Sequence, residues 1–121
     1  MRGSAGGGQR NRMILNAQRV VREFDIAVPQ GYTVEAVVTG LTFPTGVVFD
    51  DAGRLHIIES GYSYGEVWTT TQLLRIDERG GETKIAEGRS GPWTGAVFHN
   101  GNFYVAGRLR DGRRAYSARF S

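Results

Sequence analysis

The chain has 121 residues, of which 18 are glycine and none is cysteine, and 22% of its residues are charged. This length allows one small globular domain and excludes a large multidomain enzyme, while the lack of cysteine excludes a disulfide scaffold and a cysteine-ligated metal site. The net charge of +3 is uneven, because residues 1–31 carry +3, residues 32–107 carry −4 and residues 108–121 carry +4. Since the best-patterned part of the chain is acidic, nucleic acid is disfavoured as a partner.

Residues 1–29 are predicted to form a flexible or short-helical lead-in. The first 12 residues are rich in Gly, Ser and Arg, a composition that predicts disorder. Met13–Phe24 has weak helical spacing, so a short helix and an extended segment both remain open. The sequence contains no secretory signal and no run of about 18 apolar residues. It therefore predicts no membrane span, and it assigns no cellular location.

From Tyr32 onward, short runs of β-forming residues alternate with turns that contain glycine. Such runs predict strands, because β-branched and aromatic residues favour extended backbone whereas Gly, Asp and Asn favour turns. A long loop, 61–71, separates the third predicted strand from the fourth. The predicted strands are Thr33–Val38, Gly46–Phe49, Arg54–Glu59, Gln72–Asp77, Glu82–Glu87, Thr94–Phe98 and Asn102–Ala106.

Two stretches in this region match each other. Thr45–Phe49, a turn and Leu55–Ile58 resemble Thr94–Phe98, a turn and Phe103–Ala106, and the second stretch starts 49 residues after the first. A repeat of about 40–50 residues with four short strands is typical of a β-propeller blade, which buries its two apolar faces against neighbouring blades. We therefore predict an all-β fold, a partial β-propeller of about one and a half to two four-stranded blades over residues 30–106. A β-sandwich is the competing interpretation.

Three stretches resemble the N-terminal blades of the glucose/sorbosone dehydrogenase-like proteins, which are six-bladed propellers with NHL-type repeats. These stretches are Gly40–Glu59 (GLTFPTGVVFDDAGRLHIIE), Gly61–Gly65 (GYSYG) and Leu73–Val105. In that family a run similar to Leu41–Asp50 opens a blade, and a G-Y-S-Y-G loop follows its second strand. The resemblance covers residues 30–106. It implies oxidation of sugars or sugar aldehydes with pyrroloquinoline quinone, often with calcium, in proteins that are often periplasmic or secreted.

The length limits what this resemblance implies, because a closed propeller needs at least four blades of about 40 residues each. The expected function is that of a fragment of a sugar dehydrogenase-like propeller, with a sugar-type ligand, that is not catalytically competent alone. Whether the chain is an enzyme is left open. The alternative is a non-enzymatic, propeller-type binding module that oligomerises to complete its ring, since unpaired blade edges favour a homo-oligomer.

Residues 107–121 depart from the family pattern. From Arg108 onward the chain carries five Arg and one acidic residue and shows no clear strand alternation. This composition predicts an irregular, basic and solvated tail. A truncated or frameshifted product would show a similar change of composition after Ala106.

The candidate ligand-facing residues are Glu59, at the end of a predicted strand, and Tyr62 and Tyr64 in the loop that follows. A carboxylate and two phenols can orient a polyol through hydrogen bonds. The structural alternative pairs Glu59 with an arginine and places the tyrosines over a blade edge.

Other chemistry-bearing residues give weaker predictions. His56, in mid-strand, is a weak candidate base and more simply a packed or solvent-facing strand residue, and His99 lies in a turn. Trp68 and Trp93 are candidates for packing between blades. No metal site is predicted, because Asp50–Gly53 has the composition of a turn and lacks the spaced oxygen ligands of a calcium site. The sequence contains no complete catalytic constellation.

Overall fold

The computed structural model describes residues 20–63, 67–88, 92–108 and 115–121, and these residues form nine strands. The strands are β1 (Pro44–Phe49), β2 (Leu55–Glu59), β3 (Tyr62–Ser63), β4 (Val67–Trp68), β5 (Thr71–Ile76), β6 (Glu82–Gly88), β7 (Trp93–His99), β8 (Asn102–Arg108) and β9 (Ala115–Phe120). The prediction of an all-β fold is confirmed. Across the described ranges, no helix is long and apolar enough to cross a membrane.

The strands form two antiparallel sheets and a small ribbon. The first sheet has the order β1-β2-β5-β6, and the second sheet has the order β7-β8-β9. β3 and β4 pair only with each other, as a ribbon inserted between β2 and β5. Within the described residues the two sheets are separate and do not close into a ring.

The two sheets share the same strand pairing and the same irregularity. The pairing of β1 with β2 shifts by one residue between Pro44 and Gly46. The pairing of β7 with β8 shifts by one residue between Trp93 and Gly95. These positions correspond in the 49-residue repeat, so the repeat found in the sequence is also a repeat of backbone geometry.

The main core lies between the two sheets, where β1 packs on β7. Full burial of an aliphatic or aromatic side chain stabilises a fold by about 1.5–3 kcal/mol. The close packing depends on Gly46, because a methyl group placed there would already stand 3.5 Å from the Cα of Gly95. A longer side chain would hold the sheets apart. The buried residues of this core are Val48, Ile58 and Leu73 from the first sheet and Trp93, Phe103 and Val105 from the second.

The central strands of the first sheet are covered on both faces. Four of the five residues of β2 are buried, as expected for a strand without a solvent-facing side. One face contributes to the main core. The other face carries Ile57, Leu74 and Ile76, against which Val38 and Leu41 pack. The segment that leads into β1 therefore covers part of the outer face of the first sheet.

The prediction of a strand at Thr33–Val38 is wrong. This segment forms no strand, and only Val34 and Val38 are half-buried while its other residues are exposed. Val38 packs on the face of the first sheet instead of extending an edge of it. Alternation predicts an apolar side for a segment, but it does not supply a neighbouring strand edge for hydrogen bonding.

The prediction of an irregular tail is wrong for the residues of β9. β9 pairs with β8 along its whole length, from Phe120 opposite Phe103 to Ala115 opposite Arg108. Phe120 packs against the main core, where its ring centroid lies 5.7 Å from that of Trp93. The end of the chain therefore belongs to the second sheet.

The predicted lead-in over residues 1–29 is described only from Val20 onward. The disorder predicted for the first 12 residues, and most of Met13–Phe24, lie outside the described residues. In the described part, Glu23–Asp25 forms a single 3-10 turn, and residues 20–30 are all exposed. These residues make no contribution to either core.

Gly88, the last residue of β6, is expected to tolerate no side chain. A Cβ there would stand 2.5 Å from the ring of Trp93 and 2.7 Å from the Thr71 hydroxyl, and Trp93 is 1% exposed and closely surrounded. We predict that Gly88→Ala lowers the free energy of unfolding by about 1–3 kcal/mol in urea denaturation. Gly95→Ala is the matched control, because a Cβ at Gly95 meets nothing within 4 Å. Equal losses in both variants would contradict this packing role.

Candidate functional site

The end of β2 joins three parts of the chain. The backbone N–H of Ser60 donates to the carbonyl of Phe43, before β1, at 2.9 Å, and the carbonyl of Ser60 accepts from the N–H of Trp93, which begins β7, at 3.0 Å. The segment before β1, the first sheet and the second sheet therefore meet at one residue. The candidate residues Glu59 and Tyr62 lie on either side of this junction.

Glu59 is the last residue of β2 and is 1% exposed. Its Oε2 accepts from the backbone N–H of Thr42 at 2.7 Å, and its Oε1 accepts from Nε2 of Gln72 at 3.1 Å. A buried carboxylate needs such donors to offset its loss of hydration. The side chain of Glu59 thus ties the segment before β1 to β2 and β5.

Tyr62 begins the ribbon and faces Trp68 across it. The two half-buried rings stack with centroids 4.5 Å apart and planes inclined at 42°. Trp68 therefore packs within the ribbon, whereas Trp93, the other tryptophan predicted to pack between blades, lies in the main core between the sheets. Ser60 holds the start of the ribbon, since its Oγ donates to the carbonyl of Tyr62 at 2.8 Å. Tyr64 lies outside the described residues.

Thr69 closes the base of the ribbon. Its backbone N–H donates to the carbonyl of Gly61 at 2.9 Å. Among the residues that the structure describes, its hydroxyl oxygen is buried and has no hydrogen-bond partner. An unsatisfied buried polar atom costs about 1–3 kcal/mol, which a bound hydroxyl compound or water would relieve. We call Glu59, Tyr62, Trp68 and Thr69 the ribbon site.

Three of the groups at the junction were not predicted from the sequence. Gln72 lies opposite Glu59 in the β2–β5 pairing, so the strand register identifies it. Thr42 contributes a backbone N–H, which any residue except proline can supply. The buried state of the Thr69 hydroxyl depends on the fold of the ribbon, which no local sequence pattern specifies.

His56 is buried in the main core, away from solvent, with 0% exposure. Its Nδ1 lies 2.9 Å from the carbonyl of Arg54, its Nε2 accepts from Nε of Arg75 at 3.2 Å, and its ring contacts that of Phe103 at 4.5 Å. Burial lowers the pKa of His56, and the charges of Arg75 and Arg54 lower it further, against the opposing effects of the Arg54 carbonyl and Asp50. A neutral ring with a proton on Nδ1 satisfies both contacts.

Asp50 closes the turn between β1 and β2. Its Oδ1 accepts from the N–H groups of Ala52 at 3.0 Å and Arg54 at 2.9 Å, and its Oδ2 accepts from Nε of Arg54 at 2.7 Å. Burial acts to raise the pKa of Asp50, but these hydrogen bonds and the positive charge of Arg54 hold it below its usual value. The carboxylate of Asp50 therefore stabilises the turn between β1 and β2.

The described residues offer no cluster of side chains for the calcium ion that the family resemblance implies. Nowhere in the described ranges do three or more His, Cys, Asp or Glu side chains come together as a possible metal site. We assign none of these residues to calcium or to pyrroloquinoline quinone.

Comparisons with known proteins add no family to this description. A scan against protein-family models finds no match, and a search of curated proteins finds no similar sequence. The likeness to glucose/sorbosone dehydrogenase-like proteins therefore rests on the residues quoted above.

The hydrogen bonds of Glu59 predict a specific loss of stability when its charge is removed. In Glu59→Gln one oxygen can still accept, but the new amide NH2 faces a second donor. We predict that this variant lowers the free energy of unfolding by about 1–3 kcal/mol in urea denaturation at neutral pH. Glu87→Gln removes an exposed carboxylate paired with Lys84 and is expected to change stability by less than about 1 kcal/mol. Similar losses in both variants would argue against the junction role of Glu59.

The lowered pKa of His56 predicts acid sensitivity. The unfolded chain protonates this ring near its ordinary pKa of 6.5 while the folded protein resists protonation. Stability is therefore complete above that pKa and declines as the pH falls toward the folded pKa. We predict that the free energy of unfolding decreases from about pH 7 to about pH 5, and that His56→Gln flattens this profile.

The control for this prediction is His99→Gln, which removes the exposed ring at the end of β7, where the sequence predicts a turn. An NMR titration measures the protonation of His56 directly and should give an apparent pKa below 6.5. A pH profile that His56→Gln leaves unchanged would show that this ring does not govern the acid response.

Proposed function

We propose that this chain is a section of about one and a half to two blades of a β-propeller of the glucose/sorbosone dehydrogenase-like type. It binds a sugar-type ligand at the ribbon site and is not catalytically competent alone. The observation that carries the proposal is the repeated register of the two sheets, with the same one-residue shift before Gly46 and before Gly95. A propeller is built by stacking copies of one antiparallel unit in this way.

The direction of stacking supports a propeller over a sandwich. Val48 and Val97 are corresponding residues of the two sheets, and they are 8% and 56% exposed. The first sheet thus turns the side with Val48 toward the second sheet, while the second sheet turns the matching side outward. Successive blades stack front to back in this manner, whereas the two sheets of a sandwich place their inner faces together.

The composition of the ribbon site supports a polyol as ligand. Tyr62 and Thr69 carry hydroxyl groups, and the buried Thr69 hydroxyl lacks a partner in the described structure. Trp68 adds a half-buried aromatic ring beside them. Sites for small molecules combine apolar and aromatic groups with a few polar ones, and the ribbon residues are of both kinds. Glu59, at the end of β2 just before the ribbon, is held in place by its hydrogen bonds from Thr42 and Gln72.

The burial of His56, the candidate base, and of Glu59, the candidate ligand-facing carboxylate, supports the lack of catalytic competence. His56 is 0% exposed with both ring nitrogens in contact with protein groups. Glu59 is 1% exposed, and each carboxylate oxygen accepts a hydrogen bond. A general base must lie within hydrogen-bond reach of its substrate. Under this proposal, residues of additional blades supply the base.

Sugar binding is tested by titrating the 15N-labelled chain with glucose and following amide and indole shifts by NMR. We expect shifts confined to Tyr62, Trp68 and Thr69. Tyr62→Phe and Thr69→Val each remove one hydroxyl and should weaken binding by about 2–10-fold, the loss of one neutral hydrogen bond. Tyr32→Phe, at an exposed tyrosine outside the site, is the matched control. Shifts that never localise to the ribbon would refute the binding proposal.

Catalytic competence is tested separately by following dye reduction with aldoses in the presence of pyrroloquinoline quinone and calcium. We expect no turnover by this chain alone. Turnover would contradict that part of the proposal without affecting the test of sugar binding.

A further inference from the structure

The contact between the two sheets has two unlike halves. The side of β1 that packs on the second sheet carries Gly46 and Val48, and we call it the forward face. The side of β7 that packs on the first sheet carries Ala96 and Phe98, and we call it the backward face. Because every sheet has two sides, the repeated register places a further forward face on the second sheet and a further backward face on the first. Neither of these two faces is covered by the opposite sheet.

The uncovered forward face surrounds Gly95 and Val97, which match Gly46 and Val48. Val97 is 56% exposed, whereas Val48 is 8% exposed. A Cβ at Gly95 would meet nothing within 4 Å, whereas a Cβ at Gly46 would stand 3.5 Å from the Cα of Gly95. Gly95 also lacks the positive φ that favours glycine. Nothing in the described structure therefore requires glycine at this position, although its counterpart needs a small residue for sheet contact.

The uncovered backward face lies on the outer side of β1. Val47 and Phe49 match Ala96 and Phe98 of the second sheet, and they are 61% and 58% exposed. Their counterparts pack against the main core. Val37, which is 56% exposed, extends this apolar patch. The segment before β1 covers this side of the sheet over β2 and β5 and leaves β1 uncovered.

We propose that copies of this chain associate head to tail, with the backward face of one copy's first sheet packed on the forward face of the next copy's second sheet. This contact repeats the one already present inside the chain, and a second copy is the partner that carries its matching half. It joins faces of sheets, and no backbone hydrogen bonds between strand edges are involved. A contact between unlike faces is heterologous and continues into a ring or an open stack. The inference uses only register and exposure and is independent of sugar binding.

The association is tested by size-exclusion chromatography with light scattering over a concentration series. The wild-type chain should form species heavier than the 13.3 kDa monomer. Val97→Arg and Phe49→Arg each place a charge in one apolar face and should raise the dissociation constant by about 10-fold or more. Val20→Arg is the matched control, because Val20 is 75% exposed and belongs to neither face.

Mixing the two arginine variants tests the head-to-tail arrangement. Val97→Arg keeps an intact backward face, and Phe49→Arg keeps an intact forward face. At a concentration at which each variant alone is monomeric, the mixture should form a dimer with one copy of each. Gly95→Val should weaken association of the otherwise unchanged chain because it blocks the close approach, and Gly95→Ala should preserve it because a methyl group fits the matching contact at Gly46.

Several results would overturn this inference. They are a wild-type chain that stays monomeric at all concentrations, arginine variants that associate as strongly as the wild type, and a mixture that forms no dimer. Association that dissolves in about 1 M salt would also overturn it, because an apolar contact persists when charges are screened. Urea unfolding of each dilute variant verifies the fold. The glucose titration is read separately, so the two proposals succeed or fail independently.

Discussion

The two sheets approach so closely at Gly46 that a Cβ added there would already stand at van der Waals distance, 3.5 Å, from the Cα of Gly95, and the sheets stack around this contact. The one-residue shift just before each glycine places the side chain two residues earlier, Pro44 or Trp93, on the opposite side of the strand from the glycine. In a regular strand Trp93 and Gly95 would share a face. Because of the shift, Trp93 enters the main core while the open side of Gly95 points away from it. The small residue and the bulge together allow the large ring to fill the space between the sheets.

The buried polar side chains near this contact make hydrogen bonds that hold neighbouring strands together. His56 and Glu59 are the two residues that a search for a general base would select, and both are buried with partners from neighbouring strands. Ser60 joins both sheets through its backbone alone. The aromatic rings of Tyr62 and Trp68 and the hydroxyl of Thr69 lie instead on the ribbon or at its base, outside the two sheets.

Local patterns were sufficient to predict most strands and the period of the repeat. Gln72–Asp77 was expected and Thr71–Ile76 is found, because β-branched and aliphatic runs between turns determine extended backbone directly. The prediction for Thr33–Val38 was wrong because Val38 packs on a sheet face instead of pairing at an edge. β9 was missed because its sequence, AYSARF, shows no clear alternation of apolar and polar residues. The burial of His56 was also beyond the sequence. Alternation shows that His56 points to the other face of β2 from Leu55 and Ile57. Only the position of the second sheet determines that the His56 face is covered.

The ribbon is inserted between two central strands without disturbing them. β2 and β5 keep an unbroken register up to Glu59 and Gln72, and the hydrogen bond from Thr69 to Gly61 brings the chain back to the point at which it left. Surface insertions that return in this way can change in length and sequence at little cost to the structure below. The ribbon is therefore an insertion whose sequence can change without altering the pairing of β2 with β5. Related sequences can diverge at the ribbon, and a protein engineer can replace it, while the pairing of the strands below is kept.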